Sequence, residues 1–148
     1  MPFFSILLPT RNKPQLLYYA LKSLQGQNFD DFEVIISENS DHHEEGIKLV
    51  QELNDPKFKV VIPDKTLTMH DNWNFALSHA TGRYVTVMSD KNMFLAGALR
   101  KVYNILHKDS EIEVINWMSD WYSFVDEDQG WQGFYYCQQD IFKPCVYN

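Results

Sequence analysis

Cysteine is nearly missing from this 148-residue chain, with Cys137 and Cys145 as the two present. That is too few for a disulfide framework, and their spacing fits no metal-site pattern, so they read as free thiols of a cytoplasmic protein. Basic residues are also scarce, 13 Lys and Arg against 20 Asp and Glu, for a formal net charge of −7. They are scattered along the chain, which argues against a nucleic-acid partner. An anionic ligand would have to be met by backbone amides or by a metal. No apolar run approaches the ~20 residues of a membrane-spanning helix. Met1-Pro2 leads straight into an apolar run without a basic n-region, so no signal peptide is expected. Glycine and proline number six each, and there is no repeat, low-complexity tract or linker. What remains is 45% hydrophobic and 15% aromatic, enough for the core of an ordinary domain.

The run from Ala80 to Asn92 organises the rest. Gly82 supplies a turn, Tyr84-Val85-Thr86-Val87-Met88 is apolar or β-branched on both faces, and the run then breaks into Ser89-Asp90-Lys91-Asn92. Such a run predicts an internal strand covered on both sides, and in open α/β sheets the polar carboxyl end is where ligands bind. The same pattern precedes it twice. Residues 3–8 form an apolar run stopping at Pro9, and residues 32–36 another that ends in the polar Ser37-Glu38-Asn39-Ser40-Asp41, for a strand near 32–37. A shorter strand is expected at 58–62 and another strand at 113–117.

Helical periodicity fills the gaps. Asn12 with Gln15 has capping-box spacing, Pro14 suits the first turn, and Leu17, Ala20, Leu21 and Leu24 make an inner stripe ending near Gln25. Asp41 with Glu44 suggests a second capped start, with Ile47, Leu49, Val50 and Leu53 inward. Thr68 with Asp71 suggests a third, with Trp73, Ala76, Leu77 and Ala80 at helical spacing. Residues 95–107 read as a fourth helix. This alternation predicts an α/β fold with a mostly parallel sheet, right-handed crossovers and helices on both faces.

Several of these residues have plain structural readings. Asp90 suits a turn or cap, Glu38 suits a cap for the following helix, and Trp73 suits the core. His42 and His43, adjacent at a helix start, face apart and read as a solvated pair. Asp120, Asp126, Glu127 and Asp128 read as an acidic surface loop, the alternative being an acceptor-side base among them.

The opening Phe-Ser-Ile-Leu-Leu-Pro-Thr-Arg-Asn-Lys-Pro, followed by Ala20-Leu21 and Ser23-Leu24, resembles that of the family 2 glycosyltransferases. Asp31-Phe32-Glu33-Val34-Ile35-Ile36-Ser37-Glu38-Asn39-Ser40 resembles their second strand and its acidic end. Asn72-Trp73-Asn74-Phe75-Ala76-Leu77, Ala80-Thr81-Gly82 and Tyr84-Val85 resemble the helix and strand that lead to their metal motif, whose place Ser89-Asp90-Lys91-Asn92 takes.

The resemblance implies a Rossmann-like GT-A fold that binds a nucleoside-diphosphate sugar, on UDP or GDP, and transfers the sugar with inversion to a saccharide, lipid-linked or protein acceptor. It implies a nucleotide site of Pro9, Thr10, Asn12, Glu38, Ser40, Asn74, Ser89 and Asp90. A Mg²⁺ or Mn²⁺ would be held at Asp90 and Asn92. Residues 1–117 would be the donor-binding domain and 118–148 its aromatic-rich continuation toward the acceptor. Lys91 and Asn92 depart from the family's acidic motif, leaving Asp90 as the one carboxylate. A non-catalytic sugar-nucleotide-binding or protein-interaction module of the same fold is the alternative reading, and a flavodoxin-like regulatory domain a third.

Overall fold

The computed structural model describes residues 1–109, 111–116, 121–127 and 130–136. The chain divides into two compact units, Met1–Asn104 and Ile105–Asn148. In the first, β1 (Phe4–Thr10), β2 (Phe32–Glu38), β3 (Phe58–Val61) and β4 (Tyr84–Val87) alternate with α1 (Pro14–Gln25), α2 (Glu44–Leu53) and α3 (Met69–Ser78). The strands form one sheet in the order β3-β2-β1-β4, and each pairing is parallel. A fourth helix, α4 (Ala98–Lys108), follows. In the second unit β5 (Trp121–Glu127) and β6 (Gly130–Tyr136) form an antiparallel hairpin.

Right-handed crossovers from β1 through β2 to β3 put α1 and α2 on one face, and the return from β3 to β4 puts α3 on the other. Strand alternation agrees. Leu7 and Ile35 pack with Ala76 of α3, flanked by Val61 and Ala80. Ile6, Leu8, Val34 and Ile36 point the opposite way and are buried, as are the α1 stripe residues Leu17, Ala20, Leu21 and Leu24. Burying a branched apolar side chain contributes roughly 1.5–3 kcal/mol, so this double-sided layer dominates the fold's stability.

The structure corrects several expectations. β1 does not stop at Leu8 but runs through Pro9 to Thr10. Leu7 O accepts Met88 N on the β4 side, so Pro9, two residues on, turns its missing N–H to the same side, just past the end of that pairing. β4 is an edge strand among the described residues, not an internal one, and Val85 and Val87 are each 44% exposed. Residues 113–116 carry no strand, and Trp117 lies outside the described residues.

Helix starts and faces differ too. Asn12 does not cap α1: the N-cap is Lys13, without a side-chain bond, because Pro14 disfavours helical geometry before it. His43 precedes α2, and Asp41 is bonded elsewhere. Thr68 does cap α3, accepting Asp71 N. Trp73 and Leu77 nevertheless lie 40% and 48% exposed. The inner face of α3 is Asn72 and Ala76, with Asn72 Oδ1 accepting Ser37 Oγ at 2.6 Å in the core. That buried polar pair sets the helix phase. Asp126 and Glu127 lie within β5 rather than in a loop, while Asp120 and Asp128 fall outside the described residues.

Candidate functional site

Four loops leave the carboxyl edge of the sheet, and the side chains of Thr10, Asn12 and Asn39 tie them together. Thr10 ends β1 in register with Glu38 at the end of β2. Across the other flank of β1, Thr10 Oγ1 donates to Asp90 Oδ2 at 3.0 Å, joining residues eighty positions apart. Thr10 O accepts Asn39 N at 3.0 Å. The strand ends at Thr10, Glu38 and Asp90 therefore form one continuous polar rim.

Asn12 holds the β1–α1 loop to the β2–α2 loop. Its backbone sits in the left-handed region, φ 54°, which asparagine tolerates better than most residues. From there its amide N donates to Ser40 Oγ at 2.7 Å, its Nδ2 donates to Asp41 Oδ2 at 2.8 Å, and its Oδ1 accepts Asp41 N at 3.1 Å. Arg11 pairs with the same carboxylate at 3.2 Å. The Asn12 carboxamide first, then Arg11, hold the Asp41 carboxyl below its usual range. Asn39 holds the other flank: its Nδ2 donates to Leu67 O at 3.0 Å and its Oδ1 accepts Leu67 N at 2.8 Å, as a second strand's backbone would. Between these ties lies a cavity of about 280 Å³ bordered by Asn39, Ser40, His43, Asp64 and Lys65.

Glu38 is buried, its Oε1 accepting Ser40 N at 2.9 Å. Oε2 lies against Gly46 in the first turn of α2, where a Cβ would collide with it. An anion is favoured there by the helix dipole. His43 is not a freely solvated residue: Nδ1 is the one buried side-chain polar atom without a partner among the described residues.

On the β4 side, Ser89 Oγ donates to Asn92 Oδ1 at 2.6 Å, closing a small turn, and Lys91 is exposed. Asp90 is half-buried, with Oδ1 unpartnered among the described residues. Those residues contain no cluster of three His, Cys, Asp or Glu able to cage a metal. Asp90 fits a cation only where phosphate oxygens complete the coordination, as Mg²⁺ sites commonly do. Asn74 is exposed on α3, with Nδ2 3.4 Å from a His70 ring nitrogen.

Sequence reasoning missed one carboxylate. Glu33 is buried at the opposite, amino edge of the sheet, where its Oε1 accepts Ser5 Oγ, Thr81 N and Thr81 Oγ1 and its Oε2 accepts Lys59 Nζ. Burial alone would raise its pKa, but the bonds from Lys59, Ser5 and Thr81 bring it down to about 2. Gly82 completes the network, donating to Ser5 Oγ so closely that a Cβ would stand 2.6 Å from Ser5 N. An acidic residue inside an apolar strand was the available signal.

The pattern that defines glycosyl transferase family 2 matches residues 5–141. The chain belongs to that family. Over 101 residues it is 34% identical to the GalNAc(5)-diNAcBac-PP-undecaprenol beta-1,3-glucosyltransferase of Campylobacter jejuni, covering 67% of this chain and 33% of that protein. The crystal structure of S. aureus TarS 1-349 in complex with UDP-GlcNAc matches with a TM-score of 0.64 and 22% identity, over 73% of this chain and 32% of the other. The mannosyltransferase PcManGT from Pyrobaculum calidifontis, in complex with GDP-Man and Mn²⁺, matches with a TM-score of 0.57 and 21% identity, over 64% and 29%. These likenesses establish the GT-A fold for this family 2 chain. The chain spans between 32% and 44% of the length of the curated relatives it matches. No described helix is long and apolar enough to cross a membrane.

Proposed function

We propose that this family 2 chain carries the donor-binding part of an inverting, metal-assisted glycosyltransferase acting on a UDP- or GDP-sugar in the cytoplasm. The observation that carries it is the Thr10–Asp90 bond beside Glu38, which gathers three strand ends into one polar rim at the sheet edge where α/β folds bind ligands. The names of the relatives support it, since UDP-GlcNAc and GDP-Man are the ligands of the two matching structures. The acceptor is taken to be a saccharide, as in the Campylobacter jejuni relative named for a glycan carrier. The aromatic-rich residues 118–148 are assigned to it.

In the transfer, the bond from the anomeric carbon to the diphosphate oxygen breaks and its electron pair leaves with the diphosphate. An acceptor oxygen bonds the opposite face of that carbon and gives up its proton. A divalent cation, when bound, supplies positive charge to the departing diphosphate. Asp90 would hold it through Oδ1. Thr10, by donating to Oδ2, fixes the carboxylate's orientation before ligand arrives. Asn12 and Asn39 tie the intervening loop on both flanks, and a loop held in place before binding leaves less entropy to lose on it. Lys91, exposed beside Asp90, adds a positive charge where the family usually has acidic residues.

Calorimetric titration of UDP and GDP at several Mn²⁺ concentrations tests the proposal. It expects binding by at least one nucleotide, strengthened by Mn²⁺ in the parent and not in Asp90→Ala. An Asp90→Ala protein with unchanged metal-dependent affinity would remove Asp90 from the site.

A further inference from the structure

A groove of about 400 Å³ runs between α1 and α2, away from the strand-end cavity. Its size falls within the roughly 300–1,000 Å³ of small-molecule sites. Pro14 and Leu49 give it a half-buried apolar floor. Along one wall Tyr18 and Tyr19 are 39% and 41% exposed, with ring centroids 5.4 Å apart in an edge-to-face arrangement. Three polar groups of the groove are uncommitted. Gln15, Glu45 and the Tyr18 hydroxyl have no hydrogen-bond partner among the described residues. Lys48 is engaged with Glu52 at 3.8 Å, which leaves the charge of Glu45 unopposed.

This combination has a defined ligand preference. Sugar rings are amphipathic: their C–H faces pack on aromatic rings, and their hydroxyl edges bond planar amides and carboxylates. Tyrosine suits such contacts because only two torsions are ordered on binding. Two carboxylates against one paired lysine disfavour phosphorylated ligands, so the groove is unsuited to a second nucleotide. Its upper end, at Pro14 and Glu45, lies in the first turns of α1 and α2, which follow the β1 and β2 strand ends. A chain lying in the groove would therefore run toward the donor rim.

We propose that the groove is a second saccharide site, one that takes a neutral oligosaccharide segment of the acceptor or product. Its purpose rests on the glycosyltransferase reading, but its binding chemistry is independent of it. The test is an amide-resolved NMR titration with two neutral probes, N,N′,N″-triacetylchitotriose and maltotriose, at concentrations on the order of 10 mM, suited to millimolar affinities. At least one probe is expected to shift the amides of Gln15, Tyr18, Glu45 and Leu49. Tyr18→Ala and Tyr19→Ala should each weaken that binding about tenfold, as loss of an exposed aromatic anchor does. Tyr18→Phe should retain most of it. Circular dichroism identifies a variant that has failed to fold, and Gln15→Ala with Glu45→Ala then serves as the second test of the same loss.

The proposal is overturned if neither probe binds, if the shifts fall outside the groove, or if affinity survives in the tyrosine variants. A dimer in sedimentation that Tyr18→Ala disrupts would also overturn it, by assigning the groove to a second copy. UDP binding is read in the same samples at the strand-end rim. It should be the same in the tyrosine variants as in the parent, and it checks the donor reading separately from the groove.

Discussion

Exchanging Glu33 for glutamine isolates the electrostatic part of the sheet's amino edge. The residue is 3% exposed, and its two carboxylate oxygens accept from Lys59, Ser5 and Thr81 at 2.6 to 2.8 Å. Burial works against the charge, yet the donors win and hold the pKa at about 2 instead of 4.5. Each tenfold change in an acid constant is about 1.4 kcal/mol, so the carboxylate contributes about 3 kcal/mol to folding at neutral pH. The Lys59 ammonium is half exposed, which screens its share and brings the figure nearer about 2 kcal/mol. Because the folded pKa is the depressed one, this stability is fully present above pH 4.5 and is lost as pH falls toward about 2. Glutamine keeps the shape but sets an N–H against Lys59 or against the Ser5 and Thr81 donors. Urea unfolding followed by circular dichroism should show Glu33→Gln less stable by about 2–3 kcal/mol at neutral pH. The gap should close as pH approaches the folded pKa. A gap that stays constant with pH, or that is absent at neutral pH, would refute the reasoning.

Gly46→Ala should push the Glu38 carboxylate off the first turn of α2, since the added Cβ collides with Oε2. Nucleotide affinity is expected to fall severalfold in calorimetry, while Gly46→Ser, no smaller, should not restore it. Lys91→Asp combined with Asn92→Asp should raise the metal dependence of UDP or GDP binding, because added carboxylates strengthen Mn²⁺ coordination. Titrations with and without Mn²⁺ check this, and an unchanged ratio of the two affinities would count against the strand end as the metal site.

The alternation of strand and helix was legible because burial on both faces leaves apolar runs, and local capping at Thr68 needs only a neighbour three residues away. The rim at Thr10, Glu38 and Asp90 was legible for a related reason: each apolar run ends abruptly in polar residues. The family likeness contributed its own assignments, among them Asn74, which is exposed on α3. Asn12 and Asp41 have cap-like spacing with their helices, yet each spends its side chain on the other, twenty-nine positions away. Local pattern cannot reveal such a bond. The phase of α3 was hidden similarly, because a buried Asn72–Ser37 bond turned Trp73 and Leu77 outward. Apolar Val85 and Val87 suggested an internal strand, but composition does not say how many neighbours a strand has. Glu33 was hardest to read, since its partners come from β1, β3 and the turn after α3.

The central claim is that nucleotide binds at the carboxyl edge of the sheet, and amide-resolved NMR of the labelled protein titrated with UDP and then GDP tests it most directly. The account predicts that the largest shifts fall on Thr10, Ser40, Lys65 and Asp90, and that Thr10→Val weakens them together. Shifts centred on Ser5, Glu33, Thr81 and Gly82, at the amino edge, would contradict it.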